Sequence, residues 1–195
     1  MKNFFTITIN DNIRLYLEVL TLLLIISATF GFVAAELYPQ AAREGVTQAV
    51  SELGFLEEFG PVGIFLIILF NNAIKTLAMM FLGILFGVFP VLFILLNGYA
   101  IGVVASVVAA QTSALSIIAG TLPHGIFEIP AMIFAAGYGV WLGEVFYKKL
   151  KHKGTVKPHV RAALSAYWRV VFPLLVLAAF IESFITAPLL VNFIL

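Results

Sequence analysis

The sequence has no cysteine. That excludes a disulfide framework, zinc-thiolate sites, iron–sulfur clusters and thiol nucleophiles. Charge is scarce as well: Asp, Glu, Lys and Arg make up 11% of the chain, where a soluble domain has ~25%. Eleven Lys+Arg stand against ten Asp+Glu, for a formal net charge of +1. So balanced a chain has no basic field for nucleic acid, and a nucleic-acid partner is excluded. Gly-x-Ser-x-Gly, a Walker phosphate loop and His-Glu-x-x-His are all missing. ATP is not hydrolysed by this chain, and no cofactor is implied. Internal repeats and low-complexity linkers are missing too, so residues 1–195 read as one domain.

What is present is apolar. The AVILMFWYC share is 62% and the mean hydropathy +1.09, where a soluble domain holds about 45–50% apolar residues. A compact sphere of this length cannot hide such an excess from water. The chain is an integral membrane protein. Barrel strands would alternate in polarity over about ten residues. The apolar runs here are long and unbroken, so the fold class is all-α, a polytopic transmembrane helix bundle of about five spans.

A bilayer core ~30 Å thick takes roughly 20 apolar residues in a helix. The runs that fit are 13–35, 61–86, 90–110, 126–147 and 167–195. A signal peptide cleaved near Val33-Ala34-Ala35 is the rival for the first run. The run is long for a signal segment, so a retained helix is expected. Residues 36–60 hold Glu36, Glu44, Glu52, Glu57 and Glu58 against Arg43 alone. Val46, Ala49, Val50, Leu53 and Leu56 recur at helical spacing, which predicts an amphipathic helix on the membrane or against the bundle. Pro90 suits the turn between the second and third spans. As one helix, residues 113–147 would run about 52 Å, longer than the bilayer. A break at Pro123 and Gly125 is therefore expected, with 113–122 a half-helix.

Residues 148–169 carry seven bases and no acid: Lys148, Lys149, Lys151, Lys153, Lys157, Arg161 and Arg169. Residues 148–166 are expected as a basic cytoplasmic loop. Counting back through the spans puts the acidic segment outside and the N-terminus inside, with the C-terminus outside. The basic residues either fix this topology alone or also meet lipid head groups or a partner.

Ionisable groups inside a membrane are costly and point to function. Lys75, His124, Glu128 and Glu182 fall inside the apolar stretches, with Asn71, Asn72 and Asn97. Their depths allow one polar cluster. As structure, it would be an ion-pair network in which Lys75 neutralises Glu128 or Glu182. As function, it would be a cavity for an ion, a proton or a lipid head group. His124 and Glu128, four apart, share a helix face and with Glu182 offer a weak metal triad. No metal is assigned. Small residues recur in Gly83-x-x-x-Gly87, Gly98-x-x-x-Gly102 and Gly139-x-x-x-Gly143. They let helices approach closely, either within the chain or across a homodimer.

Three strings carry a family resemblance. They are Asn97-Gly98-Tyr99-Ala100-Ile101-Gly102, Pro123-His124-Gly125-Ile126-Phe127-Glu128-Ile129-Pro130-Ala131 and Ile181-Glu182-Ser183-Phe184-Ile185-Thr186. In this order and spacing, with Asn71-Asn72, the chain resembles the stage II sporulation protein M family of integral membrane proteins. One departure is Thr186-Ala187-Pro188, where the family pattern has Thr followed by Pro. The resemblance implies a polytopic scaffold, which in spore formers anchors peptidoglycan-degrading enzymes during engulfment.

Three functions are then open. The first is a non-enzymatic scaffold with an envelope enzyme as partner. The second is a permease-like subunit moving a small solute, ion or lipid, with a cytoplasmic ATPase partner or a homodimer. The third is an intramembrane metal-dependent enzyme using His124, Glu128 and Glu182.

Overall fold

The computed structural model describes residues 11–52, 54–111, 114–151 and 155–186, with backbone alone at 11, 56–57, 111 and 114–124. No strand occurs among the described residues. Six helices do: α1 (Asp11–Leu37), α2 (Pro39–Glu52), α3 (Pro61–Leu82), α4 (Val88–Gln111), α5 (Ala114–Lys151) and α6 (Lys157–Thr186). All but α2 contain a stretch long and apolar enough to cross a membrane.

Proline sets several of the boundaries. A helix tends to stop before a proline and to accept one in its first turn. α1 stops at a bend on Tyr38, and Pro39 opens α2. Pro61 opens α3 behind an extended Gly60. Residues 83–87 form the turn into α4, where Phe86 and Gly87 have φ of 58° and 73°. For Phe86 this is an uncommon left-handed conformation.

α6 combines α-helical turns with π-helical segments at Tyr167–Val171 and Glu182–Thr186. The first has a local cause. Pro173 has no N–H to give the Arg169 carbonyl, and its ring crowds that oxygen. The backbone widens just before it, and the Phe172 N–H bonds the Tyr167 carbonyl five residues back.

α5 is the central element. Of its most apolar window 56% is buried, against 17–33% in the other four spans. Ala131, Ala135, Tyr138 and Leu142 form its buried stripe, packed with Ile13, Met80, Tyr167, Val171 and Leu175. Leu20, Leu24, Ile94, Met132, Ile133 and Ala136 form a second cluster.

The glycine faces lie inside the chain. α1 and α4 run parallel, and a Cβ on Gly102 would meet the Ala28 carbonyl oxygen at 1.9 Å. On Gly31 it would meet the Tyr99 oxygen at 2.1 Å, and on Gly98 the Leu24 oxygen at 2.7 Å. At the α3–α4 turn, a Cβ on Gly83 would fall 2.1 Å from the Gly139 oxygen, and one on Gly143 would fall 2.4 Å from the Gly83 oxygen. Gly87 lies against Val140.

Three boundaries differ from expectation. The backbone is helical through Pro123 and Gly125, so there is no break and no separate half-helix in the described part of 113–122. A transmembrane proline removes one ladder bond, and the turns on either side continue the helix. At 38 residues α5 is about 57 Å long and must project from a bilayer core of ~30 Å. The basic stretch is not a loop: Lys148–Lys151 end α5 and Lys157 begins α6. The last span accordingly starts at Lys157 rather than residue 167. Residues 187–195 and Lys153 lie outside the described residues. Pro90 is buried in the first turn of α4 rather than in the interhelical turn.

Glycine contact predicts a sharp contrast. Gly102→Val should destabilise the protein by at least the ~1–3 kcal/mol usual for overpacking. Gly45→Ala, where a Cβ meets nothing within 4 Å on α2, should leave it unchanged or raise stability by about 0.5 kcal/mol. Thermal unfolding in detergent measures both.

Candidate functional site

Polar groups meet at four levels of the bundle. Halfway along, Tyr167 from the first π segment reaches α3. Its hydroxyl donates to the Ala73 carbonyl at 2.7 Å and lies 3.3 Å from the Thr76 hydroxyl. Thr76 Oγ1 donates to the Asn72 carbonyl at 2.7 Å. Both side chains are 1% exposed. In lipid such bonds join helices that the hydrophobic effect does not drive together.

The second π segment packs against α3 and α5, with Phe184 and Phe65 rings 6.3 Å apart. Ser183 and Thr186 are buried there, and their hydroxyls have no hydrogen-bond partner among the described residues. Glu182 is half-buried in the same segment.

At the opposite end of the bundle, Glu144 gathers two helices. Tyr16 donates to its Oε2 at 2.8 Å, Lys148 forms an ion pair with its Oε1, and Asn12 Nδ2 lies 3.4 Å from both oxygens. This joins the start of α1 to the basic end of α5. Arg14 and Glu18 pair at 2.8 Å on the exposed face nearby. The Glu144–Lys148 spacing is legible in sequence as an i,i+4 pair. Asn12 and Tyr16 are not legible, because they lie 132 and 128 residues away.

At the other end of α1, α2 folds back beside α4 without burying a single residue. Between them lies an apolar groove of about 780 Å³, walled by Ala35, Tyr38, Val46, Ala49, Tyr99 and Val103 among others. Ser106 Oγ donates to Glu36 Oε1 at 2.7 Å, which ties α4 to the end of α1.

The seven predicted polar residues do not form one ion-pair network. Lys75 is exposed on α3 and makes no ion pair among the described residues, so it neutralises neither acid. Asn71 is exposed, with its Nδ2 3.4 Å from Asn72 Oδ1. Asn97 donates to the Phe93 carbonyl of its own helix at 2.7 Å. Glu128 and Glu182 are half-buried on α5 and α6. The His124 side chain lies outside the described residues. Among the described residues no three His, Asp or Glu side chains gather to hold a metal. Of the predicted basic residues, Lys148, Lys149, Lys151, Lys157 and Arg161 are exposed. Lys151 lies 4.5 Å above the Tyr147 ring.

A profile described as stage II sporulation protein M matches residues 20–187. The chain belongs to the stage II sporulation protein M family. An uncharacterised protein of Methanocaldococcus jannaschii is 31% identical over 121 residues, which is 60% of this chain and 67% of that one. No solved structure matches. The family match runs from the middle of α1 through the second π segment, so it takes in the Tyr167–Thr76 contact and both glycine seams.

Two substitutions separate the paired from the unpaired polar groups. Tyr167→Phe removes the bond to Ala73 and should cost about 0.5–1.5 kcal/mol. Lys75→Met should leave stability at or above wild type, because Lys75 has no bond among the described residues to lose and no charge is then held against hydrocarbon. Melting curves of the purified protein decide both.

Proposed function

We propose that this stage II sporulation protein M family member is a non-enzymatic membrane scaffold that holds partner proteins at the bilayer. One observation carries the proposal. α2 is a 14-residue amphipathic helix with no buried residue, held against α4 over an open apolar groove. A helix of this kind spends nothing on the core and leaves its surface for a partner, here an apolar segment of an envelope enzyme. Positive-inside bias supports the orientation: the basic ends of α5 and α6 face the cytoplasm, with the N-terminus. α2 and the C-terminus then face outward.

A second reading rests on the π segment at Glu182–Thr186. π-helical turns within membrane helices frequently mark functional sites, and irregular backbone suits a path for a solute. As a permease-like subunit, the protein would use Glu128 and Glu182 near that path. It would work with an ATPase on the basic face or as a homodimer.

Affinity capture from native membranes, with a photo-crosslinker at Val50 of α2, tests the two. A recurrent envelope enzyme crosslinked at Val50 is the expected result. A recurrent cytoplasmic ATPase independent of Val50 would replace the scaffold with the permease, as would proton flux in reconstituted vesicles that Glu128→Gln abolishes. Self-crosslinks alone would leave a homo-oligomer without the proposed partner.

A further inference from the structure

α3 presents a face that no other described element covers. Val62, Leu66, Phe70 and Ile74 recur every fourth residue along it, and all four are exposed, Ile74 by 65%. Lipid tails satisfy these side chains. They do not satisfy Asn71 and Lys75, which are exposed beside Phe70 and Ile74. From Pro61, Asn71 lies about 15 Å along the helix axis and Lys75 about 21 Å. Asn71 therefore sits at the middle of a bilayer core of ~30 Å, and Lys75 one turn beyond. The amide has one long contact, 3.4 Å to Asn72. The ammonium has no ion pair or hydrogen bond among the described residues. Hydrocarbon offers neither group an acceptor.

We infer that this face of α3 docks a transmembrane helix of another protein that carries a carboxylate at mid-membrane depth. The inference rests on the scaffold reading and names the chemistry of its partner. Charge selects the occupant. Lys75 has three donors and no acceptor, and Asn71 adds two donors one turn away on the same face. One carboxylate accepts from both. A second copy of this chain fits worse. A two-fold axis along the membrane normal sets equal depths together, so Lys75 would face its own counterpart. The acids of this chain within the membrane, Glu128 and Glu182, are half-buried on other helices. Snorkelling does not account for the pair either. Lys75 lies about 10 Å from the Leu82 end, within partial reach of a lysine stem. Asn71 lies about 16 Å from that end on a short side chain.

The test uses the full chain in phosphatidylcholine vesicles with benzoylphenylalanine at Ile74. The probe is a synthetic single-span Leu/Ala helix with one Glu at its centre, against the same helix with Leu there. The Glu helix should crosslink at least tenfold more. Lys75→Met should erase the difference, and Lys75→Arg should keep it, with neither variant melting below wild type. Equal crosslinking of the two helices would overturn the inference, as would self-crosslinking that outcompetes the Glu helix. Capture from native membranes with Lys75→Met separates the two levels. Partners kept by that variant leave the scaffold standing and remove this face. Partners never seen with wild type remove the scaffold itself.

Discussion

Close approach of helix backbones is the constraint on which the rest of this bundle depends. Inside a bilayer, lipid tails are as apolar as leucine, so helices gain little by burying apolar surface against one another. Dispersion across a tight seam and a few interhelical hydrogen bonds must hold them. Here the seams are made of glycine. Gly31, Gly98 and Gly102 bring α4 onto α1, and Gly83, Gly139 and Gly143 bring the α3–α4 turn onto α5. The second seam also accounts for the backbone of that turn. The chain reverses within a few residues while pressed against α5, and Phe86 is left in the left-handed region as a result.

The polar groups divide along the same geometry. Those that join helices are bonded: Tyr167, fully buried, to α3, and the half-buried Glu144 to Tyr16 and Asn12 at the bundle's edge. On the outside of the bundle, Lys75 has no ion pair or hydrogen bond among the described residues, and Asn71 has one long contact to Asn72. The bundle is thus closely packed around α5, with the Ser183 and Thr186 hydroxyls unpaired among the described residues, and uncovered along one face of α3. α2 is a second uncovered surface, apolar on the groove side and polar elsewhere, with Glu44 and Glu52 against Arg43.

Apart from i,i+4 neighbours such as Glu144 and Lys148, the polar residues are legible in the sequence one by one, not as pairs. Depth along an apolar run places Asn71, Lys75, Glu128 and Glu182 within the membrane from residue counting alone. Which of them meet depends on the rotation of each helix about its axis, and near Tyr167 and Glu182 that rotation is shifted by π-helical turns. Opposite charges in lipid should pair, which predicts Lys75 against an acid. The rotation of α3 instead sets it outward, while its neighbour Thr76 faces Tyr167. Depth along the chain does not single out Glu144, because it sits at the edge of an apolar run, where a charge is ordinary.

By itself the sequence determined the class, the five spans, the acidic amphipathic helix and the family, since each rests on local composition, periodicity or contiguous motifs. It also determined that glycine at four-residue spacing would make close helix contacts. The tertiary structure alone decided which helices those glycines join, and that α5 continues through Pro123 as the centre of the bundle. It likewise decided that Lys75 faces outward. The physical reason is the same in each case. Helix formation is settled within a few residues of chain, whereas the facing of one helix toward another depends on contacts between residues about 70 to 130 positions apart.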